Sequence, residues 1–155
     1  MHLGDLISPK DVVPSLKAQG KKQLLQDLSA RAARTAGLPE RDVFDVLWQR
    51  EQLGSTGLGQ GVAIPHGKLA GLKRIVGVFA QLSEAVEFDA VDGEPVDIVF
   101  VLLAPEGAGA DHLKALARIS RLLREGSAVD KLRASKDAAA LFAVLTQEET
   151  SSHAA

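Results

Sequence analysis

The sequence predicts a single α/β domain, a mixed central β-sheet flanked by helices on both faces. Three observations carry that expectation. Residues 75–82 and 96–103 are near-continuous apolar runs rich in β-branched side chains, the pattern of strands covered on both sides. Between them, Asp92-Gly93 within residues 90–94 is a tight-turn signal, so these strands are expected to be antiparallel neighbours. Before and after them lie segments with apolar residues at helical spacing, enough to clothe two sheet faces.

In chain order, Leu6-Ile7-Ser8-Pro9 reads as a turn. Residues 12–16 read as a short strand that Pro14, lacking a backbone donor, confines to a sheet edge. A helix then follows Gly20. Leu24, Leu25, Leu28, Ala32 and Ala36 recur at its period while Lys21, Lys22, Asp27 and Arg31 take the other faces, and Gly37 suits its C-terminal cap. A second helix starts near Pro39, with Glu40 and Asp42 favoured at its positive end. Val43, Val46, Leu47 and Arg50 share one of its faces. Arg50 therefore extends an apolar stripe, which fits either snorkelling at the rim or a guanidinium aimed at an anion. Phe44 and Trp48 are expected to pack in or near the core.

Residues 50–68 read R-E-Q-L-G-S-T-G-L-G-Q-G-V-A-I-P-H-G-K. Gly54, Gly57, Gly59 and Gly61 allow backbone turns and close approach, the way a loop offers amide N–H groups to an anion. Val62-Ala63-Ile64 then reads as a short buried strand ended by Pro65, placing His66 at a strand end. A histidine here can be structural, or its neutral imidazole can present a lone pair to phosphorus or a metal. The glycine run favours function.

After the second apolar run, residues 105–109 form another flexible loop. Asp111 is a candidate N-cap for a helix whose expected core face is Leu113, Leu116, Ile119, Ser120 and Leu123, ended at Gly126. His112 would lie in its first turn, as a rim or capping residue or beside a bound anion. Closing helices are expected over residues 128–133 and 137–146, the latter with an apolar stripe of Ala138, Leu141, Phe142 and Leu145. Residues 147–155 look like a polar tail after a core spanning about residues 3–146.

Composition narrows the chemistry. With 18 basic and 20 acidic residues giving −2, the chain carries no basic surplus for nucleic acid or an anionic membrane. The absence of cysteine excludes disulfides, thiolate metal sites and Cys nucleophiles. No signal-peptide pattern or apolar run of membrane-spanning length occurs, so a cytoplasmic protein without direct membrane insertion is expected.

The glycine run does not match a dinucleotide or Walker loop, since a strand and a proline follow it instead of a helix. Ser55 lacks the nucleophile-elbow pattern. His66 and His112 would need Asp89, Asp92 or Asp111 to complete a metal site, and no recognised ligand spacing joins them. No metal or cofactor is expected.

The string R-E-x-L-G-S-T-G-x-G-x-G-V-A-I-P-H resembles the active-site signature of fructose/mannitol-type enzyme IIA domains of the bacterial phosphoenolpyruvate-dependent phosphotransferase system. Segments D-x-V-D-G-x-P-V-D-I-V-F, from Asp89, and H-L-x-x-L-A-x-I, from His112, extend the resemblance over residues 3–146. Gln49 and Gln52 are its conservative departures. Within the class, the chain resembles stand-alone nitrogen-regulatory members.

The resemblance implies the enzyme IIA fold over 1–155 and a phosphocarrier in which His66 accepts a phosphoryl group from a small phosphohistidine carrier (HPr- or NPr-like). Arg50 would balance phosphoryl charge and His112 would position the reacting histidine. Gly54, Ser55, Thr56, Gly57, Gly59 and Gly61 would form the phosphoryl-binding loop. It further implies phosphorylation-dependent contacts with regulatory proteins such as sensor kinases or potassium transport proteins, signalling nitrogen, carbon or potassium status. A sugar-transport enzyme IIA passing phosphate to a IIB domain is the alternative.

Overall fold

A computed structural model of the chain describes residues 2–154, with side chains through Gln147. In chain order, β1 (Val12–Leu16) is followed by α1 (Lys21–Ala36) and α2 (Glu40–Leu53). The short strands β2 (Gly57–Gly59), β3 (Val62–Ala63) and β4 (His66–Leu69) precede the long β5 (Val76–Val86) and β6 (Val96–Pro105). The chain closes with α3 (Ala110–Arg124), α4 (Gly126–Ala134) and α5 (Ala138–Ala154). The expected polar tail falls on the end of α5, mostly on residues whose side chains lie outside the described set.

The six strands form one mixed sheet in the order β1-β5-β6-β3-β2, with β4 also paired to β6. β5 and β6 are antiparallel, whereas β1 runs parallel to β5, and β3 and β4 run parallel to β6. β1 is an edge strand, as Pro14 requires. Gly37 ends α1 in the left-handed region, φ 70°, as a C-terminal cap.

Residues of β6 alternate between two cores. Val99, Val101 and Leu103 pack with Leu24, Leu25, Leu28, Val43 and Leu47 of α1 and α2. Ile98, Phe100 and Leu102 pack with Ala115 and Ile119 of α3, Leu132 of α4, and Leu141 and Leu145 of α5. Helices on both sides explain why the run is apolar without alternation. Phe44 and Trp48 stack 5.8 Å apart at the margin of the first core.

Three local expectations are corrected. The glycine stretch is a tight β2–β3 hairpin rather than an open loop, turned by Gln60 and Gly61 at φ 57° and 83°, the backbone signs of a type I′ turn. α3 begins at Ala110 after Gly109, so Asp111 lies inside the first turn and is not the N-cap. The buried residues of α3 are His112, Ala115, Ile119, Leu122 and Leu123. Leu113, expected in the core, is 65% exposed. Two overlapping stripes exist on this helix, and the α4–α5 packing selects the one containing Leu122.

Candidate active site

Pro65 interrupts the row of strands beside β6. Its carbonyl still accepts from Leu102 N–H at 2.9 Å, so the row resumes at once as β4. His66 is therefore the first residue of a strand, paired with Leu102, rather than the last residue of the preceding one. Its Nδ1 lies 2.8 Å from the Ile64 carbonyl oxygen. A carbonyl can only accept, so Nδ1 carries the proton and Nε2 keeps the free lone pair.

Gly67 follows, and a Cβ there would collide with Val46 of α2. Its bare backbone lets α2 lie against β4, bringing the last turn of α2, with Arg50, to the strand's beginning. Arg50 donates from Nη1 to the Gly54 carbonyl at 2.8 Å, and among the described residues no carboxylate pairs with it. From the opposite face of the sheet, the first turn of α3 delivers His112, whose ring centroid is 5.8 Å from that of His66 at a tilt of 43°. His112 is 7% exposed and its Nδ1 has no hydrogen-bond partner. The structure thus brings together Arg50, His66 and His112, which lie far apart in sequence.

Burial lowers the His66 pKa from its ordinary 6.5; the Ile64 bond raises it, nearby Arg50 lowers it and Glu51 raises it. His112 is also lowered, first by burial and then by the adjacent His66 and Lys68 charges. Both rings are consequently held neutral near pH 7. The positive N-terminal end of α3 favours an anion at the same place.

Arg50, His66, Ser55, Thr56, Gly57 and Ser120 line a cleft of about 210 Å³, with Leu58, Ile64 and Leu116 as its apolar walls. The space is below the roughly 300–1,000 Å³ of pockets that enclose drug-sized ligands.

Of the loop residues expected to cradle the phosphoryl group, Ser55, Thr56 and Gly57 line the cleft, and their polar groups are bonded within the protein. Ser55 Oγ donates to the Phe88 carbonyl at 2.9 Å and accepts from Gly57 N–H at 3.1 Å. Thr56 directs both its N–H and its hydroxyl to the Glu51 carboxylate. Gly59 and Gly61 lie outside the cleft, beside Asp92 and Arg133 respectively. Arg133 grips Asp97 with two nitrogens and also donates to the Gln60 carbonyl, clamping that end of the hairpin. Asp92 accepts from Gln60 N–H at 2.8 Å and so belongs to this clamp. Among the described residues no group of three or more His, Cys, Asp or Glu is arranged to hold a metal.

Sequence reasoning missed Glu51 and Lys21. The Glu51 side chain is fully buried and pairs with Lys21 Nζ at 2.9 Å. Lys21 was legible only as a polar-face residue of α1. A glutamate following Arg50 on the core side of α2 was the available signal.

Comparison with known proteins identifies the family and the fold. The family described as the phosphoenolpyruvate-dependent sugar phosphotransferase system, EIIA 2, matches residues 5–148. A nitrogen regulatory protein of Bradyrhizobium diazoefficiens is 59% identical over 145 residues, covering 94% of this chain and 95% of the relative. The crystal structure of nitrogen regulatory protein IIA-Ntr from Neisseria meningitidis superimposes with a TM-score of 0.89 at 40% identity, covering 93% of this chain and 99% of that one. The Escherichia coli mannitol IIA crystal structure shares the fold at a TM-score of 0.76, with 19% identity and coverage of 89% and 97%. No helix of the described residues is long and apolar enough to cross a membrane. The chain belongs to the EIIA type 2 family of the phosphoenolpyruvate-dependent phosphotransferase system.

Proposed function

We propose that the chain is a phosphocarrier with a regulatory output, and that His66 Nε2 is its phosphoryl acceptor. The observation that carries this reading is the 2.8 Å contact from Nδ1 to the Ile64 carbonyl, which leaves Nε2 as the free nucleophile on a residue lining the cleft. The lowered His66 pKa keeps that lone pair available near neutrality.

The donor is a phosphohistidine on a small carrier protein. Nε2 attacks phosphorus, the donor's N–P bond breaks, and its electron pair returns to the donor imidazole. The Nδ1 proton remains on its bond to Ile64. Arg50 has donors to spare, and its planar fork suits the phosphoryl oxygens as charge shifts between the two nitrogens. His112 stands where its neutral ring can orient the acceptor or bond a phosphoryl oxygen. Alignment and charge stabilisation are what such a transfer requires.

The phosphoryl group adds about two negative charges to a shallow surface cleft. A partner can therefore distinguish the two forms, and sensor kinases or potassium transport proteins are the proposed listeners. The similarity to proteins named nitrogen regulatory protein supports this output. The test is intact-mass analysis after incubation with phosphoenolpyruvate and the general phosphotransfer proteins. One acid-labile phosphoryl group, absent in His66→Ala, is expected. No adduct with demonstrably active donors contradicts the reading. Rapid discharge of the adduct to an isolated sugar IIB domain would favour the sugar-transport alternative.

A further inference from the structure

A chain of hydrogen bonds runs from the buried ion pair to the candidate acceptor. The Glu51 carboxylate takes Thr56 N–H at 3.2 and 3.3 Å as well as the Thr56 hydroxyl. The Thr56 carbonyl takes Ile64 N–H at 3.1 Å. The Ile64 carbonyl takes His66 Nδ1–H at 2.8 Å. Behind Glu51, Lys21 supplies the countercharge at 2.9 Å and also donates to the Phe88 carbonyl at 3.2 Å, the same oxygen that Ser55 uses.

We propose that Glu51, held by Lys21, is a positioning residue for phosphoryl transfer: through Thr56 and Ile64 it fixes the tautomer and ring orientation of His66. The inference rests on the phosphocarrier reading for its consequence, though not for its geometry.

A buried carboxylate is costly unless every lone pair finds a donor. Here the donors come from α1 and from the loop, so the cost is offset only when the loop closes over the end of α2. That closure places the Thr56 carbonyl to hold Ile64 at the turn into β4. Without it Gly54 and Ser55 keep their bonds to Arg50 and Phe88, but Thr56 loses its anchor, and with it goes the fixed direction of the Ile64 carbonyl. The charged groups acting on His66 are Arg50 and Glu51 from α2, and those acting on His112 are His66 and Lys68 from β4. Glu51 favours a proton on His66 where Arg50 opposes it.

The test uses the whole chain, unphosphorylated for ¹⁵N imidazole spectra and with its carrier donor for single-turnover uptake. The variants are Glu51→Gln, Thr56→Val and Thr56→Ser. Wild type should show His66 as one neutral tautomer protonated at Nδ1. Glu51→Gln and Thr56→Val should show mixed tautomers and a maximal uptake rate roughly tenfold lower, with the half-saturating donor concentration unchanged. Thr56→Ser, which keeps the hydroxyl, should restore both.

Folded Glu51→Gln and Thr56→Val with wild-type tautomer and rate overturn the proposal, as does a loss confined to donor affinity. Unfolding of both would assign the pair to stability alone and overturn it too. The wild-type spectrum needs no variant, and mixed tautomers there contradict it directly. If wild type holds the Nδ1–H tautomer yet takes up no phosphoryl group, the phosphocarrier reading fails while the positioning geometry stands.

Discussion

Arg50 and Arg133 each sit in the last turn of a helix, each beside the glycine hairpin, and their surroundings differ in one decisive respect. Arg133 is met by the Asp97 carboxylate and the Gln60 carbonyl. Arg50 is met by one backbone carbonyl, Gly54, and stands beside His66, kept neutral by burial and itself facing His112. The same side chain is a clamp where its charge is answered and, where it is not, the proposed anion receptor. Glycine content alone does not separate the two ends of the hairpin, since the run includes Gly54 and Gly57 near the cleft and Gly59 and Gly61 at the clamp.

The sharpest break in the comparison is at His66. His66→Ala should abolish phosphoryl uptake entirely, read as loss of the mass adduct. Next comes the arginine pair. Arg50→Ala should slow uptake by roughly a hundredfold, the scale of one lost transition-state donor, with a near-normal melting temperature. Arg50→Lys should recover little of that rate, because an ammonium lacks the planar fork. Arg133→Ala should leave the uptake rate alone and lower stability by about 1 kcal/mol, since its ion pair is partly exposed and screened. An uptake defect in Arg133→Ala, or none in Arg50→Ala, would erase the distinction drawn between the two ends.

His112→Ala should be milder, slowing uptake by roughly tenfold on the scale of a group that aligns the reactants. A full-rate His112→Ala counts against its positioning role.

The smallest effect is that of pH. Both histidines have folded-state pKa values below 6.5. Between the folded and unfolded values the unfolded chain binds more protons, so stability falls as pH drops from about 6.5 towards the folded values. Uptake should fall over the lower part of the same window as the Nε2 lone pair is protonated, and be flat above it. Chemical-shift titration of the two rings, run beside the rate profile, checks both signs. Midpoints above 6.5 would contradict the burial argument.

Much of this contrast was legible before the fold was known. The uninterrupted apolar runs marked β5 and β6, Pro14 marked an edge strand, and Gly37 marked a helix end, because each rests on a local backbone or burial rule. That Arg50, His66 and His112 are candidates was legible from their neighbours: an arginine extending an apolar stripe, a histidine between proline and glycine, and a histidine opening a helix after a flexible loop; the structure brings the three together. Periodicity failed on α3, where Leu113 and Leu122 lie on competing stripes and only packing against α4 and α5 decides between them. On the loop, hydroxyls and amides free for an anion look the same in sequence as those bonded to Glu51 and Phe88. The Lys21–Glu51 pair was invisible for the same reason. A lysine on the polar side of α1 gives no sign that the end of α2 will arrive to cover it.

The most direct test of the central claim is ¹⁵N–³¹P coupling in the phosphorylated, isotope-labelled chain. A single phosphoryl group on His66 Nε2 is expected, with Nδ1 still protonated against the Ile64 carbonyl. Phosphorylation at His66 Nδ1, or at His112, would contradict it.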